Sequence, residues 1–199
     1  GGVSYGTREA SIILDAAGYD FIFIETVGVG QSETMAANLV DIFTLIVGPG
    51  SGDELQGIKK GITEYADIFI VNKNDGDLKL QASKTASDYK SALSFYSKQD
   101  NQAAKEVLLV SSIEQQGMDS VIDTINEIIK FNKLNKIFDV RRENQLSYWI
   151  KEEIRNQIQS KLDLEVGNDT ELLDMTKAVI KGEISIYDVS DHFLDKFLK

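Results

Sequence analysis

Apolar residues in the first two-thirds of the chain follow two alternating rhythms. Thr7 to Ala17 carries them at helical spacing, and Gly18 follows as a helix stop. Tyr19 to Glu25 (YDFIFIE) is rich in aromatic and β-branched residues and predicts a buried strand. Ile42 to Val47, Asp67 to Val71 and Glu106 to Val110 are three more runs of that kind. Helical patterns fill Glu54 to Tyr65 and Asp77 to Lys98 between them. This alternation predicts an α/β fold, a mostly parallel sheet covered by helices on both faces. Beyond about Lys136 the strand pattern stops. Val140 to Leu162 predicts a long amphipathic helix, with Leu146, Trp149, Ile150, Ile154 and Ile158 mostly three or four residues apart. Leu164 to Asn168 reads as a connector, followed by helices near Glu171 to Ile180 and Ile186 to Leu198. The expected organisation is therefore an α/β part over 1–136 and an α-helical extension over 137–199.

Composition narrows the partners. With 199 residues and a net charge of −11, the chain is a poor match for a nucleic-acid backbone, whose binding is driven by Lys and Arg. No run approaches the roughly 20 apolar residues of a membrane span, so no membrane partner is expected. Cysteine is absent, which excludes disulfides and thiolate metal sites. Small phosphate ligands stay open, because backbone N–H groups hold them without a basic surface. The chain opens Gly1-Gly2-Val3 with no initiator Met, as a processed or truncated product would.

In a parallel α/β sheet, ligands sit outside the carboxyl ends of the strands, so the loops after each run carry the chemistry. The first loop is Glu25-Thr26-Val27-Gly28-Val29-Gly30-Gln31-Ser32-Glu33. An acidic residue at such a strand end holds Mg²⁺, usually through water, and a glycine three residues later lets its N–H approach a γ-phosphate. A glycine-rich turn capped by Ser32 is the alternative. Gly48-Pro49-Gly50-Ser51-Gly52-Asp53-Glu54 reads by itself as a plain loop leading to a helix cap at Asp53, with Lys59 and Lys60 as surface charges.

Asn72-Lys73-Asn74-Asp75 is the most informative loop. An aspartate carboxylate accepts both the ring N–H and the exocyclic amino group of guanine, a donor pair that adenine lacks, and a missing buried hydrogen bond discriminates strongly. Lys73 lies over the base plane in such a site, and Asn72 ties neighbouring loops together. A polar turn with Asp75 as a helix cap is the alternative. Ser111-Ser112-Ile113 follows the next run, where GTPases often place an S-A-x loop whose backbone meets the guanine oxygen. His192, the single histidine, has no triad or ligand pattern around it and reads as a surface or packing residue, while Trp149 fits a core or interface.

Taken together, "ETVGVGQSE", "GSGDELQGIKKGITEYADIFIVNKND", the opening "GGVSYGTRE" and the later "RRENQLSYW" resemble the MeaB/ArgK/MMAA family of P-loop GTPases, of the wider SIMIBI class. The resemblance spans essentially all 199 residues. It implies a P-loop NTPase-type sheet, GTP or GDP as ligand, Mg²⁺ as cofactor, and hydrolysis of GTP. It also implies a metallochaperone role: loading and protecting adenosylcobalamin on methylmalonyl-CoA mutase or a related cobalamin-dependent mutase. Homodimerisation through the C-terminal helices and a bacterial cytoplasm or mitochondrial matrix follow by the same analogy.

By the resemblance, Glu25 and Gly28 match the Mg²⁺/γ-phosphate switch, with Glu25 as the metal-side residue. Asn72, Lys73 and Asp75 match the guanine reader, backed by Ser111, Ser112 and Ile113. Gly50 to Lys60 matches a loop that signals to the mutase, with Asp53, Gln56 and Lys59 in it. Val29 stands where many GTPases have a water-orienting glutamine, and Gln31 comes two residues later, which implies a slow intrinsic rate raised by a partner. The departure lies at the front. The family's G-x-x-x-x-G-K-[ST] loop and its first two strands have no counterpart here, and one of those strands lies between 19–25 and 42–47 in the resembled fold. The expectation is an N-terminally truncated chain that binds GTP poorly and hydrolyses it negligibly alone. A non-catalytic, dimerising and partner-binding remnant is the alternative. An adenine-preferring ATPase is a third reading, and it leaves Asp75 without a role.

Overall fold

A computed structural model describes residues 5–26, 33–50, 65–94, 105–166 and 170–197. The chain divides into two compact units, Gly1–Gln145 and Leu146–Lys199.

In the first unit, helix α1 (Tyr5–Ala16) ends as the glycine after it requires. Gly18 takes φ +87°, its N–H donates to Asp15 O at 3.0 Å, and Tyr19 N–H donates to Leu14 O at 3.3 Å. These paired bonds satisfy the last carbonyls of the helix and stop it.

The strand expected over Tyr19 to Glu25 does not form. Tyr19 to Thr26 pairs with no strand among the described residues, and Phe23 is 85% exposed. The rings of Phe21 and Phe23 stack with centroids 6.5 Å apart. Side chains two residues apart thus share a side, as in extended chain. The run has strand composition, but a strand also needs a neighbour for its backbone N–H and C=O groups, and none of the described residues supplies one.

After a short helix α2 (Glu33–Ala37), three parallel strands form the sheet: β1 (Thr44–Val47), β2 (Ile68–Val71) and β3 (Glu106–Leu109), in the order β1-β2-β3. Thr44 faces Ile68 and Ile68 faces Glu106, so the strands run in step and end together. Alternation of side chains divides the sheet into two faces. On one, Phe69, Val71 and Val107 pack with Ala82, Ala86, Tyr89 and Leu93 of helix α3 (Lys79–Ser94). The small Ala82 and Ala86 bring the helix close to the strands, and the Tyr89 ring lies 5.7 Å from that of Phe69. On the other face, Ile68, Ile70 and Val110 pack with Ile128 of helix α4 (Met118–Leu134), with Val121 and Ile125 beside it. All four residues of β2 are buried, which explains its uninterrupted apolar sequence. Burial of each such side chain contributes about 1.5–3 kcal/mol. Ile46 of β1 is the exception, 64% exposed.

Two further points differ from the sequence reading. That reading has no element between Val110 and Lys136, yet α4 lies there, and its Val121-Ile125-Ile128 spacing is helical. The connector expected at Leu164 to Asn168 begins later, because helix α5 (Ile137–Val166) continues through Val166. No glycine or proline interrupts Ile137–Val166, and the first glycine after it is Gly167.

The start of α5 is fastened to the amino ends of the strands. Asp67, one residue before β2, accepts Phe43 N–H at 2.8 Å and both Arg141 guanidinium nitrogens at 2.9 Å. Arg141 also donates to Asp41 O. Arg142 grips the Asp41 carboxylate at 2.8 and 2.6 Å, and Gln145 donates to Val40 O at 2.7 Å. Donating to Asp67 raises the Arg141 pKa despite its burial, and donating to Asp41 does the same for Arg142.

The second unit holds the rest of α5 with helices α6 (Thr170–Ile180) and α7 (Ile186–Phe197). Trp149 is buried, its ring edge-on to Tyr148. His192 is exposed and bonds Glu171 at 2.9 Å, while Lys196 bonds the other Glu171 oxygen at 3.1 Å. Those bonds, Lys196 first and then His192, hold the Glu171 carboxyl below its ordinary pKa.

Candidate functional site

The three strands end together, so the segments that follow them emerge side by side. Pairing continues past the strands: Asn72 N–H donates to Val47 O at 3.0 Å, Val110 N–H to Val71 O at 2.9 Å, and Asn74 N–H to Val110 O at 3.0 Å. These bonds hold Asn72-Lys73-Asn74-Asp75 against Ser111-Ser112 at the carboxyl edge of the sheet, where α/β proteins bind ligands.

Lys73 has φ +61°, an uncommon left-handed value for a residue with a side chain. Such a conformation persists when its surroundings impose it, and it recurs at functional sites. Here the Lys73 N–H bonds Asn72 Oδ1 at 2.8 Å while the next residue is held by Val110 O. The Lys73 side chain is exposed.

The Asp75 side chain is engaged with the neighbouring loop. It precedes the 3-10 turn Gly76–Leu78 but its side chain makes no capping bond. Its Oδ2 accepts the Ser111 hydroxyl at 2.5 Å instead. Ser111 is fully buried, and its oxygen also accepts Glu114 N–H at 3.0 Å. The hydroxyl proton is thus committed to Asp75, and the carboxylate is oriented from below while half-exposed. A carboxylate so held has acceptor capacity left for a ligand with two adjacent N–H groups.

Asn72 ties the two loops. Its Oδ1 accepts Ser112 N–H at 3.2 Å and Ser112 Oγ–H at 3.0 Å, in addition to Lys73 N–H. The second loop is closed by mutual backbone bonds between Ser111 and Gln116 and by Gly117 at φ +76°. A Cβ on Gly117 would stand 2.4 Å from Leu109 O, so only glycine lets the loop fold back on the end of β3. Ile113 sits at the tip, 85% exposed.

Asn72, Lys73, Asp75, Ser111, Ser112 and Ile113 therefore lie together. Glu25 is exposed in the unpaired Tyr19–Thr26 segment and makes no hydrogen bond to any of them. Gly28, Asp53, Gln56 and Lys59 lie outside the described residues, as does most of the helix expected at Glu54 to Tyr65. Among the described residues, no group of three His, Cys, Asp or Glu could hold a metal, and no helix is long and apolar enough to cross a membrane. The sequence reading missed Glu114, Gln116 and Gly117 as supports of the site. Ser111 followed three residues later by Glu114 was the signal for them, a spacing typical of local side-chain to backbone bonds.

Comparison with known proteins identifies the family and the fold. Residues 1–166 match the family described as Methylmalonyl Co-A mutase-associated GTPase MeaB. The mouse protein named "Methylmalonic aciduria type A homolog, mitochondrial" is 34% identical over 99% of the chain, and the GTPase ArgK of Escherichia coli 36% identical over 79%. The chain spans 48% of the length of each. A crystal structure of a LAO/AO transport system kinase superposes with a TM-score of 0.73 at 28% identity, covering 97% of this chain and 62% of that one. The fold is thus the α/β fold of that kinase, and the chain belongs to the MeaB family of GTPases.

Proposed function

We propose that this chain reads the base of a guanine nucleotide through Asp75, with Asn72, Lys73 and the Ser111-Ser112-Ile113 loop around it. The observation that carries the reading is the Asp75 carboxylate, held by the buried Ser111 rather than used as a helix cap. GTP hydrolysis needs the phosphates to be gripped as well, and the 199 residues contain no G-x-x-x-x-G-K-[ST] loop. Hydrolysis is therefore proposed for the protein in which such a loop completes the site, with Glu25 and Gly28 on the γ-phosphate side. Glu25 offers one exposed carboxylate, which fits Mg²⁺ arriving with phosphate oxygens and water but not a cage made of protein alone. When bound, Mg²⁺ neutralises phosphate charge.

The biological role we propose is that of a GTPase assisting the cobalamin loading and protection of methylmalonyl-CoA mutase or a related mutase. Asp53, Gln56 and Lys59 would signal to it. The family's name and the methylmalonic aciduria relative support this reading. Homodimerisation is proposed through the C-terminal helices: Leu146, Ile150, Ile154 and Ile158 form a ridge at four-residue spacing on α5, each about half exposed. The α/β part and helical extension, 1–136 and 137–199, are proposed as the functional division. A non-catalytic, dimerising and partner-binding remnant is the second reading.

The test is equilibrium competition of GDP and ADP for the 199-residue chain, alone and with a phosphate-loop segment joined at its front, alongside Asp75→Asn. The expected result is guanine preference in the completed protein that Asp75→Asn abolishes. Equal binding of GDP and ADP there sinks the guanine reading, and guanine binding without turnover favours the remnant.

A further inference from the structure

The turn Gly48-Pro49-Gly50 leaves the end of β1 and is held on both sides by the stretch that carries Asp75. On its near side Val47 O accepts Asn72 N–H at 3.0 Å. On its far side Gly50 N–H donates to the Thr85 hydroxyl oxygen at 3.1 Å. Asp75 lies between those two anchors in sequence, and its carbonyl accepts Leu78 N–H at 3.1 Å in the 3-10 turn that leads into α3. Thr85 is 2% exposed and stands one turn along α3 from the buried Ala82 and Tyr89. A helical threonine often turns its hydroxyl to the carbonyl four residues back. The bond made here reaches a backbone N–H 35 residues away. Gly50 has φ +84°, and a Cβ on it would stand 2.6 Å from Gln81 Nε2, so the turn lies directly on the first two turns of α3.

We propose that Thr85 is a positioning residue through which the chain after β1 responds to a filled base site. The loop put forward above as the signal to a partner begins at Gly50, so the response arrives at its root. This rests on the reading of Asp75 as the residue that meets the base. A ligand that orders Asp75 also orders Asn72 and the start of α3, and the turn bonded to both loses freedom with them. Shared ordering couples two places without a change of shape. The coupling is reciprocal, so whatever holds Gly50 still favours base binding by the same factor. The route runs through the base-reading loop and α3, not through phosphates, and a nucleoside suffices to drive it. It therefore separates a filled site from an empty one, whereas GTP and GDP are told apart on the γ-phosphate side.

The experiment uses the 199-residue chain with Thr85→Val, which removes the acceptor, and Thr85→Ser, which keeps it. Amide hydrogen exchange at Gly50 is followed without ligand and with saturating guanosine or adenosine, and urea unfolding is measured on the same samples. Without ligand, Gly50 is expected to exchange about fivefold faster in Thr85→Val, the worth of one net hydrogen bond, and at the wild-type rate in Thr85→Ser. Equal rates in wild type and Thr85→Val overturn the anchoring role. Guanosine is expected to slow Gly50 exchange several-fold in wild type and Thr85→Ser, and to leave it unchanged in Thr85→Val. Guanosine that binds wild type without slowing Gly50 overturns the coupling and leaves the guanine reading standing. A Thr85→Val variant that loses stability in urea yet keeps the full guanosine response also overturns it, and makes Thr85 a packing residue. Adenosine that binds as tightly and slows Gly50 equally removes the guanine reading but supports the coupling. If neither nucleoside binds, the reading of Asp75 and the coupling fall together.

Discussion

The carboxylate of Asp75 and the hydroxyl of Ser111 meet at 2.5 Å across 36 residues of chain. Asp75 follows β2 and Ser111 follows β3, so the contact depends on both strands ending at the same level. A buried serine beneath a half-exposed aspartate fixes which way the carboxylate faces before any ligand arrives. Preorganisation of that kind cuts the ordering cost of binding.

Ser111→Ala removes this support and leaves Glu114 N–H without its acceptor. It is expected to lower guanine-nucleotide affinity about tenfold and stability by about 1–2 kcal/mol. Calorimetric titration of the nucleotide-competent protein and urea unfolding check the two effects. Affinity unchanged while stability falls would make Ser111 a purely structural residue.

Gly117→Ala forces a side chain into the left-handed region and against Leu109 O at 2.4 Å. The expected loss is about 2–4 kcal/mol, part conformational and part steric. Gly182 has a similar φ of +75°, but a methyl group there would meet nothing within 4 Å, so Gly182→Ala should cost only about 1 kcal/mol. Comparing the two urea midpoints isolates the steric part, and equal losses would refute the close approach at Gly117.

Asp67→Asn leaves a polar group to accept Phe43 N–H but removes the charge facing Arg141. Both side chains are largely shielded, Arg141 at 26% and Asp67 at 19% exposure, so the pair is worth more than a surface ion pair. The substitution is expected to cost about 2 kcal/mol. Arg141→Lys should lose most of that too, since a lysine cannot span both carboxylate oxygens. Urea unfolding of the two variants, with unchanged m, is the measurement. A loss below about 0.5 kcal/mol would make the contact no better than a surface pair.

Glu171 is held below its ordinary pKa by Lys196 and then His192. A carboxyl with a lowered folded pKa binds protons less readily than in the unfolded chain, so its contribution is full above the ordinary glutamate value of about 4.3. It is lost as pH falls from there through the lowered folded value. Carboxyl chemical shifts should place the Glu171 midpoint below that of a free glutamate. Lys196→Met should raise the midpoint more than His192→Gln does, and the reverse order would contradict the geometry.

Much of the sheet is legible in the sequence because β2 is buried on both faces and its residues are apolar without interruption. β1, β3, α3, α6 and α7 follow within a few residues of their patterns. α4 stands outside the expected elements although Val121, Ile125 and Ile128 have helical spacing and no glycine or proline interrupts Met118–Leu134. YDFIFIE misleads for a different reason: its residues suit a strand, but strand formation depends on a partner that composition cannot supply.

Sequence by itself determined the family and which residue types stand at the ends of the strands, since motif order and apolar runs are local properties. It did not reveal that Asp75 is oriented by Ser111 rather than capping a turn, that the tie made by Asn72 runs to the hydroxyl and N–H of Ser112, or that Asp67 joins Arg141. Each of those joins residues separated by 36 to 74 positions. Only the register of parallel strands, and the packing of α3 and α4 on either face, brings such residues within hydrogen-bonding distance.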